Sequence, residues 1–151
     1  MASSQYVHYV HPRYLFFGHR SVSDHFSDGS PLEHLAFDLV AGNADVDEME
    51  PIVVQRINSK RFVVDGNRRV CVFDHLRVAC RYDVGKVPVV YASHSSSRVL
   101  VGEDKGHRVR IRGRGTEKVE SEIERMASHA MKRSREYWGN PLPGFQKLNV
   151  R

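Results

Sequence analysis

The sequence "RFVVDGNRRVCVFDHL", residues 61–76, decides the fold because it joins a strand to a helix within a short span. Residues 61–64 are largely apolar and β-branched, as in a strand, whereas residues 70–76 place apolar side chains at helical spacing. Between them lies Asp-Gly-Asn-Arg-Arg, residues 65–69. The stretch therefore predicts a strand that passes directly into a helix at Gly66.

This turn has features of an anion-binding site. The first N–H groups of a helix lack partners within the helix, and the helix dipole places partial positive charge there. Gly66 lets a ligand approach the backbone and tolerates a positive φ. Arg68 and Arg69 add planar donors suited to phosphate or carboxylate. The alternative is an ordinary Gly-Asn turn whose arginines pair with Asp65 or Asp74.

Upstream of the turn, two further elements are expected. The β-branched and aromatic sequence at residues 6–17 predicts a strand broken near Pro12. A core-facing helix follows, in which Ser30 as N-cap and Glu33 form a capping box and Gly42 lies just past the end.

Downstream and around the turn, the pattern completes a small sheet. Residues 51–57 and 61–64 predict a hairpin that turns at residues 58–60, and residues 87–92 predict another strand. Residues 116–138 carry apolar side chains along one helical stripe. We therefore expect an α/β (α+β) fold, with a small mixed sheet, packed helices and a C-terminal amphipathic helix.

Composition limits the organisation to one core. The chain has 151 residues, 40% of them hydrophobic, and a formal net charge of +5. Residues 92–151 hold thirteen Lys and Arg against seven Asp and Glu, so the basic excess lies entirely in that part. The predicted division is a domain over residues 1–92, a basic linker over 93–115, and an amphipathic helix with a tail over 116–151.

The same residues bear on the cell compartment. No segment approaches the roughly 20 apolar residues that a membrane span needs, so no membrane association is expected. Cys71 and Cys80 lie nine positions apart in one predicted helix, on opposite faces, and are expected to be buried, unpaired thiols. These features predict a soluble protein of the cytoplasm or nucleus.

Taken in order, these segments resemble the N-terminal domain of the ParB/sulfiredoxin superfamily. That family has an apolar helix, a Pro-Ile-Val-Val strand, a turn, a second strand, a Gly-x-Arg-Arg signature that opens a helix, and a final Val-Pro-Val strand. The corresponding segments are residues 32–40, 51–54, 58–60, 62–64, 66–69 and 87–90. The resemblance covers about residues 10–92 and implies the same fold.

The resemblance also implies a pocket for a nucleotide or another phosphate-bearing ligand at the turn. The implied phosphate contacts are Gly66, Asn67, Arg68 and Arg69. It further places Arg20, in the upstream loop, at the same pocket. Sulfiredoxins carry a catalytic cysteine in the corresponding turn, where this chain has Asn67, so sulfinic-acid reduction by that nucleophile is excluded.

Catalysis stays open, because superfamily members include enzymes that phosphorylate free serine and proteins described as nucleases. A small-molecule kinase or nuclease needs a carboxylate or histidine near the phosphate. The candidates are Asp24, Asp28 and Asp65, with His19 and His25. The sequence does not identify a cofactor, and a nucleotide with Mg²⁺ held partly by its phosphates is compatible with it. No metal site made of protein ligands is predicted, since no Cys/His set has zinc-site spacing.

The basic segment supports an alternative function. Arg108, Arg110, Arg112 and Arg114 alternate along "HRVRIRGRG", so an extended chain would present all four on one side. This favours a nucleic-acid-binding module that contacts the backbone without reading sequence, although a solvated loop fits equally. The helix over residues 116–138 is expected to pack on the domain or to mediate a homodimer.

Overall fold

The computed structural model describes residues 6–92 and 105–138, with side chains as far as residue 133, and it confirms the mixed α/β class. The strands are β1 His8–Val10, β2 Leu15–Phe17, β3 Ser21–Val22, β4 Ile52–Ile57, β5 Lys60–Asp65, β6 Val87–Tyr91 and β7 Arg110–Ile111. The helices are α1 Leu32–Ala41, α2 Asn67–Ala79 and α3 Thr116–Trp138. The predicted break of the first strand is confirmed, since a 3-10 turn at Pro12–Tyr14 separates β1 from β2.

Five strands form the main sheet in the order β1-β6-β4-β5-β2. The β4–β5 and β1–β6 pairs are antiparallel, whereas β4–β6 and β2–β5 are parallel. The predicted hairpin is confirmed, but its turn has two residues, Asn58 and Ser59, with φ of 52° and 67°. Positive φ at both positions is what a tight hairpin turn between twisted strands requires. Lys60 therefore belongs to β5.

The three helices pack together and share a single core with this sheet. Helix α1 packs mainly against α3, and α2 contacts both. The core contains Leu15, Phe17, Ile52, Val54, Val63, Val87 and Val89 from the sheet, and Leu32, Val40, Val70, Phe73, Leu76, Val119 and Ile123 from the helices. Within residues 6–92 and 105–138, no helix combines the length and the apolar character needed to cross a lipid bilayer.

The start of α1 differs from the predicted capping box, which is wrong. Pro31 is the N-cap and its side chain makes no capping hydrogen bond. The Ser30 hydroxyl donates to Asp28 instead, and the Glu33 carboxylate is bound by Arg114 at 2.7 Å. A charged guanidinium is a stronger partner for the carboxylate than a single backbone N–H. The predicted end at Gly42 is confirmed by its left-handed conformation, with φ of 83°.

The described part of the predicted basic linker is a structural element. Strand β7 pairs in parallel with β3, in the register Ser21 to Arg110 and Val22 to Ile111. Helix α3 follows at once, and its apolar stripe is buried in the common core of the chain. That stripe, which suggested a homodimer, is thus used within one chain. Residues 93–104 of the linker and residues 139–151 of the tail lie outside the described residues.

Both cysteines are unpaired, as predicted, and neither is an activated thiol. Burial raises the pKa of Cys71 to about 12 and that of Cys80 to about 11. Both side chains therefore stay protonated at neutral pH and behave as small apolar groups.

Candidate functional site

The turn between β5 and α2 requires glycine for two reasons. Gly66 has φ of 113°, a conformation that side chains rarely adopt, and it precedes the first residue of α2. A Cβ there would also lie 2.6 Å from Cδ1 of Ile52 and 3.1 Å from the Arg69 guanidinium. The predicted conformational role of Gly66 is therefore confirmed, and Gly66 also lines the surface clefts described below.

A cleft of about 290 Å³ lies between this turn and the ribbon formed by β3 and β7; we call it the ribbon cleft. Its polar lining consists of His19, Ser21, Ser23, Asp65, Asn67, Arg68 and Arg112. One wall is the start of α2 and the other is the ribbon. The pairing of β7 with β3 thus brings two distant parts of the sequence to the same cavity.

Two arginines face the ribbon cleft from opposite walls. Nη1 of Arg68 donates to the backbone carbonyl of His25 at 2.8 Å, and its guanidinium lies 5.9 Å from the centre of the Phe26 ring. Nη1 of Arg112 donates to the Ser21 hydroxyl at 2.7 Å. Within the described part of the chain, neither guanidinium forms a salt bridge with a carboxylate. Their positive charges are therefore available to an anion in the cleft.

A second cleft of about 370 Å³ adjoins the first on the other side of Arg68; we call it the Phe26 cleft. Its lining includes Phe26, Met49 and Arg69. Nη1 of Arg69 donates to the backbone carbonyl of Glu50, and burial lowers the pKa of Arg69. Arg69 is thus held against the backbone, whereas Arg68 lies between the two clefts and contributes to both.

The side chain of Asn67 connects two segments of the protein. It is 4% exposed; its Oδ1 accepts from the Gly18 N–H at 3.1 Å and its Nδ2 donates to the Val63 carbonyl at 3.0 Å. A Cβ on Gly18 would overlap the Val63 carbonyl oxygen, so that contact also requires glycine. The Asn67 amide therefore fixes the chain entering the ribbon-cleft loop against β5, a role that the sequence did not predict.

Arg114 forms the centre of a cluster that holds the ribbon to α1; we call Arg114, Asp24 and Glu33 the Arg114 clamp. The backbone N–H and Nε of Arg114 donate to Oδ2 of Asp24 at 3.0 and 2.9 Å. Nη1 and Nη2 donate to the two carboxylate oxygens of Glu33 at 2.7 and 3.0 Å. Such a two-pronged contact fixes orientation as well as charge.

The clamp changes the ionisation of its members. The Arg114 backbone N–H, the His25 ring and the Arg114 guanidinium hold the pKa of Asp24 far below its ordinary value. Burial acts to raise the pKa of Glu33, but the hydrogen bonds and charge of Arg114, a backbone hydrogen bond at Glu33 and the charge of His34 together outweigh it, and the pKa lies below its ordinary value. The hydrogen bonds that Arg114 donates to Glu33 and Asp24 raise the pKa of Arg114. All three groups are therefore charged at neutral pH.

The predicted catalytic residues are not brought together. Asp65 lines both clefts and His19 lines the ribbon cleft. Asp24 belongs to the Arg114 clamp, and Nδ1 of His25 is 2.8 Å from its carboxylate. Asp28 accepts hydrogen bonds from the hydroxyl and N–H of Ser30, which lower the pKa of Asp28. Of the three carboxylates, Asp65 alone lines a described cleft.

The predicted row of four arginines is a row of three. Arg108, Arg110 and Arg112 are exposed at alternate positions, with Arg110 in β7 and the other two on either side of it. Gly113, with φ of 77°, turns the chain so that Arg114 points into the clamp. The expectation that Arg114 contacts nucleic acid is therefore wrong, because its guanidinium is bound by two carboxylates.

Arg20 lies at the start of the ribbon. Its backbone carbonyl accepts from the Arg110 N–H at 2.9 Å, and its side chain is exposed beside the ribbon cleft rather than among the residues that line it. Among the residues that the structure describes, no three His, Cys, Asp or Glu side chains converge where a metal ion could be held.

The sequence missed the ribbon wall of the cleft, which contains Ser21, Ser23 and Arg112. The signal was present in "RVRIR", where Val109 is half buried and Ile111 is buried while the arginines are exposed. Such alternation is typical of a half-buried strand as well as of a charged loop. The pattern thus pointed to a strand, but nothing local indicated that its partner is β3.

Comparison with protein-family models finds no match to this chain, and comparison with curated proteins likewise finds no match. The resemblance to the ParB/sulfiredoxin superfamily therefore stays a prediction from the sequence. The candidate site is therefore defined by the clefts and contacts of this structure alone.

Proposed function

We propose that this chain binds a nucleotide or another phosphate-bearing ligand in the ribbon cleft. The observation that carries the proposal is the convergence of Arg68 and Arg112 on one cavity, at the start of α2, without a carboxylate salt bridge to either among the described residues. Guanidinium groups and helix N-termini both bind phosphate oxygens favourably, and here both line the same cleft.

The neighbouring Phe26 cleft supports a nucleotide over an inorganic phosphate. Phe26 and Met49 give that cleft an apolar part, next to the guanidinium of Arg68. Because Arg68 borders both clefts, a ligand whose phosphates lie in the ribbon cleft could place an attached flat ring in the Phe26 cleft. Aromatic and thioether side chains are suitable contacts for such a ring.

Replacing Arg68 with alanine should lower the affinity for phosphate compounds about 10- to 100-fold, the usual effect of losing a hydrogen bond to a charged group. Tripolyphosphate and a panel of nucleoside triphosphates serve as ligands, measured by calorimetry and by melting temperature. Arg125→Ala is the matched control, because Arg125 is exposed on α3 and pairs with Glu122. If Arg68→Ala binds as tightly as the parent, or if no phosphate compound raises the melting temperature, the proposal is wrong.

A second candidate function is transfer or hydrolysis of the bound phosphate. It is favoured by Asp65 and His19, which line the ribbon cleft together with the two arginines. A carboxylate beside a bound phosphate can position an attacking hydroxyl or water, with Mg²⁺ held partly by the substrate.

Under this second function, Asp65→Asn should reduce turnover of a nucleoside triphosphate with Mg²⁺ by about 100-fold or more while binding persists. Asp28→Asn is the control, because the Asp28 carboxylate accepts a hydrogen bond from the Ser30 N–H and does not line the ribbon cleft. Phosphate release and calorimetric affinity are measured on the same preparations. Turnover that survives Asp65→Asn, or that falls equally in Asp28→Asn, would remove Asp65 from a catalytic role and leave the binding function in place.

A further inference from the structure

A row of positive charge leads out of the ribbon cleft along β7. Arg108, Arg110 and Arg112 are exposed, while Ile111 between them is buried. Arg108 and Arg112 flank the two-residue strand β7, and at the spacing of an extended chain, about 6.6 Å between alternate residues, the row extends at most about 13 Å. Arg112 is both the last member of this row and a wall of the ribbon cleft. The row and the cleft therefore form one continuous cationic surface.

The other end of the row reaches two aromatic side chains and a lysine, Phe16, His107 and Lys60, which we call the Phe16 cluster. The exposed His107 ring lies 5.2 Å from the Phe16 ring, and Nζ of Lys60 lies 5.2 Å from the centre of the same ring. The Phe17 N–H donates to the Gly106 carbonyl at 2.8 Å, which fixes His107 beside β2. The two rings meet edge to face, at an angle of 61°, so an aromatic surface with an exposed imidazole and a lysine charge adjoins Arg108.

We propose that the phosphate-bearing ligand of this protein is a single-stranded nucleic acid, with one phosphate in the ribbon cleft and the following phosphates along the β7 arginines. Its next bases stack on the Phe16 cluster. This inference rests on the proposed function of the ribbon cleft. A cationic groove combined with exposed rings is the usual means of binding single strands, since every base has a face that stacks.

Two other polyanions fit this surface less well. A duplex keeps its bases stacked inside, so the Phe16 cluster would contact none of them. An acidic peptide supplies carboxylates but no rings, and it leaves the cluster without a partner. The proposed contacts are made to phosphates and to the faces of bases, not to base edges, so we expect binding to be insensitive to nucleotide sequence.

A series of 5′-phosphorylated thymidine oligonucleotides tests the length of the site. Affinity, measured by fluorescence anisotropy with unlabelled competitors, should rise at least about tenfold from one to about four nucleotides and then level off, as expected of a short stacking site. For single strands, each neutralised phosphate contributes about −0.7 to the slope of log K against log salt concentration. With three or four phosphates neutralised, we expect a slope of about −2 to −3.

Two variants separate the row from the cleft. Arg110→Ala should reduce the salt slope by about 0.7 and weaken oligonucleotide binding while leaving tripolyphosphate binding unchanged. His107→Ala should weaken oligonucleotide binding about 5-fold or more, with no effect on tripolyphosphate. Both residues are exposed, so neither change threatens folding. Arg125→Ala again controls for the loss of one positive charge.

The outcomes distinguish this inference from the function on which it rests. If tripolyphosphate binds but a tetranucleotide binds no tighter, the nucleic-acid inference is wrong and the cleft function stands. If neither binds, both are wrong. An oligonucleotide affinity that Arg68→Ala leaves unchanged would show that the cleft and the row are not one site. Duplex DNA or polyglutamate binding as tightly as the single strand would contradict the ligand class.

Discussion

Replacing Arg114 with alanine is expected to lower the free energy of unfolding by about 3 kcal/mol. This value is near the lower end of the range seen when one partner of a buried ion pair is removed. The substitution leaves the Asp24 and Glu33 carboxylates without their common partner, at side-chain exposures of 12% and 10%. Arg114 itself is 28% exposed, which is why the lower end applies. For a chain of this length the melting temperature should fall by about 6–12 °C.

The same clamp makes the stability of the protein sensitive to acid. The pKa values of Asp24 and Glu33 are both depressed in the folded state. Their contribution is therefore fully present above the unfolded pKa of about 4 and is lost as the pH falls through the folded values. Arg114→Ala should remove much of this dependence, so that the stabilities of parent and variant begin to converge as the pH falls below about 4.

Denaturant unfolding at a series of pH values measures both effects. Arg112→Ala is the control, because Arg112 is exposed on the same segment and outside the clamp. Adding Glu33→Gln and Asp24→Asn to Arg114→Ala should restore part of the loss, since the unpaired charges are then removed. A melting temperature of Arg114→Ala within about 2 °C of the parent would mean that the clamp does not hold the ribbon.

The second large effect is expected for Asn67→Ala, which should cost about 2–4 kcal/mol of folding free energy. Its buried amide satisfies the Gly18 N–H and the Val63 carbonyl, and alanine would leave both without a partner at about 1–3 kcal/mol each. Chemical unfolding provides the measurement. Asn43→Ala, at an exposed asparagine after α1, should change the stability by less than about 0.5 kcal/mol.

This variant also tests the ligand contact that the family resemblance implies for Asn67. If the side chain only positions the Gly18 segment, affinity for tripolyphosphate should fall together with stability. If the side chain contacts the ligand directly, affinity should fall while stability is retained. The hydrogen bonds of the buried amide support the first outcome. An unchanged stability would contradict the structural role.

The features that were predictable from the sequence are those with local causes. Gly66 was identified because a strand-to-helix turn needs a positive φ, and Gly42 because a helix commonly ends in that conformation. The hairpin followed from two β-branched runs separated by a short polar turn. Each of these signals lies within a few residues of the element that it specifies.

The features that the sequence did not reveal depend on long-range pairing. Arg114 donates to Asp24 across 90 positions of the sequence. The same arginine binds the Glu33 carboxylate, which therefore does not form the predicted capping box. Asn67 bonds to Gly18 across 49 positions. Residue types alone do not say which distant partner a charged or amide group meets, because that depends on how β7 pairs with β3. The ribbon wall of the candidate site was missed for this reason.

The most direct test of the ribbon cleft is a titration of the isotopically labelled protein with tripolyphosphate, followed by amide chemical shifts. We expect the largest shifts on both walls together, at residues 66–69 on one side and at residues 21–23 and 112 on the other. Saturable shifts that leave residues 66–69 unmoved, or that cluster at the opposite end of the sheet near Arg56 and Arg61, would contradict it.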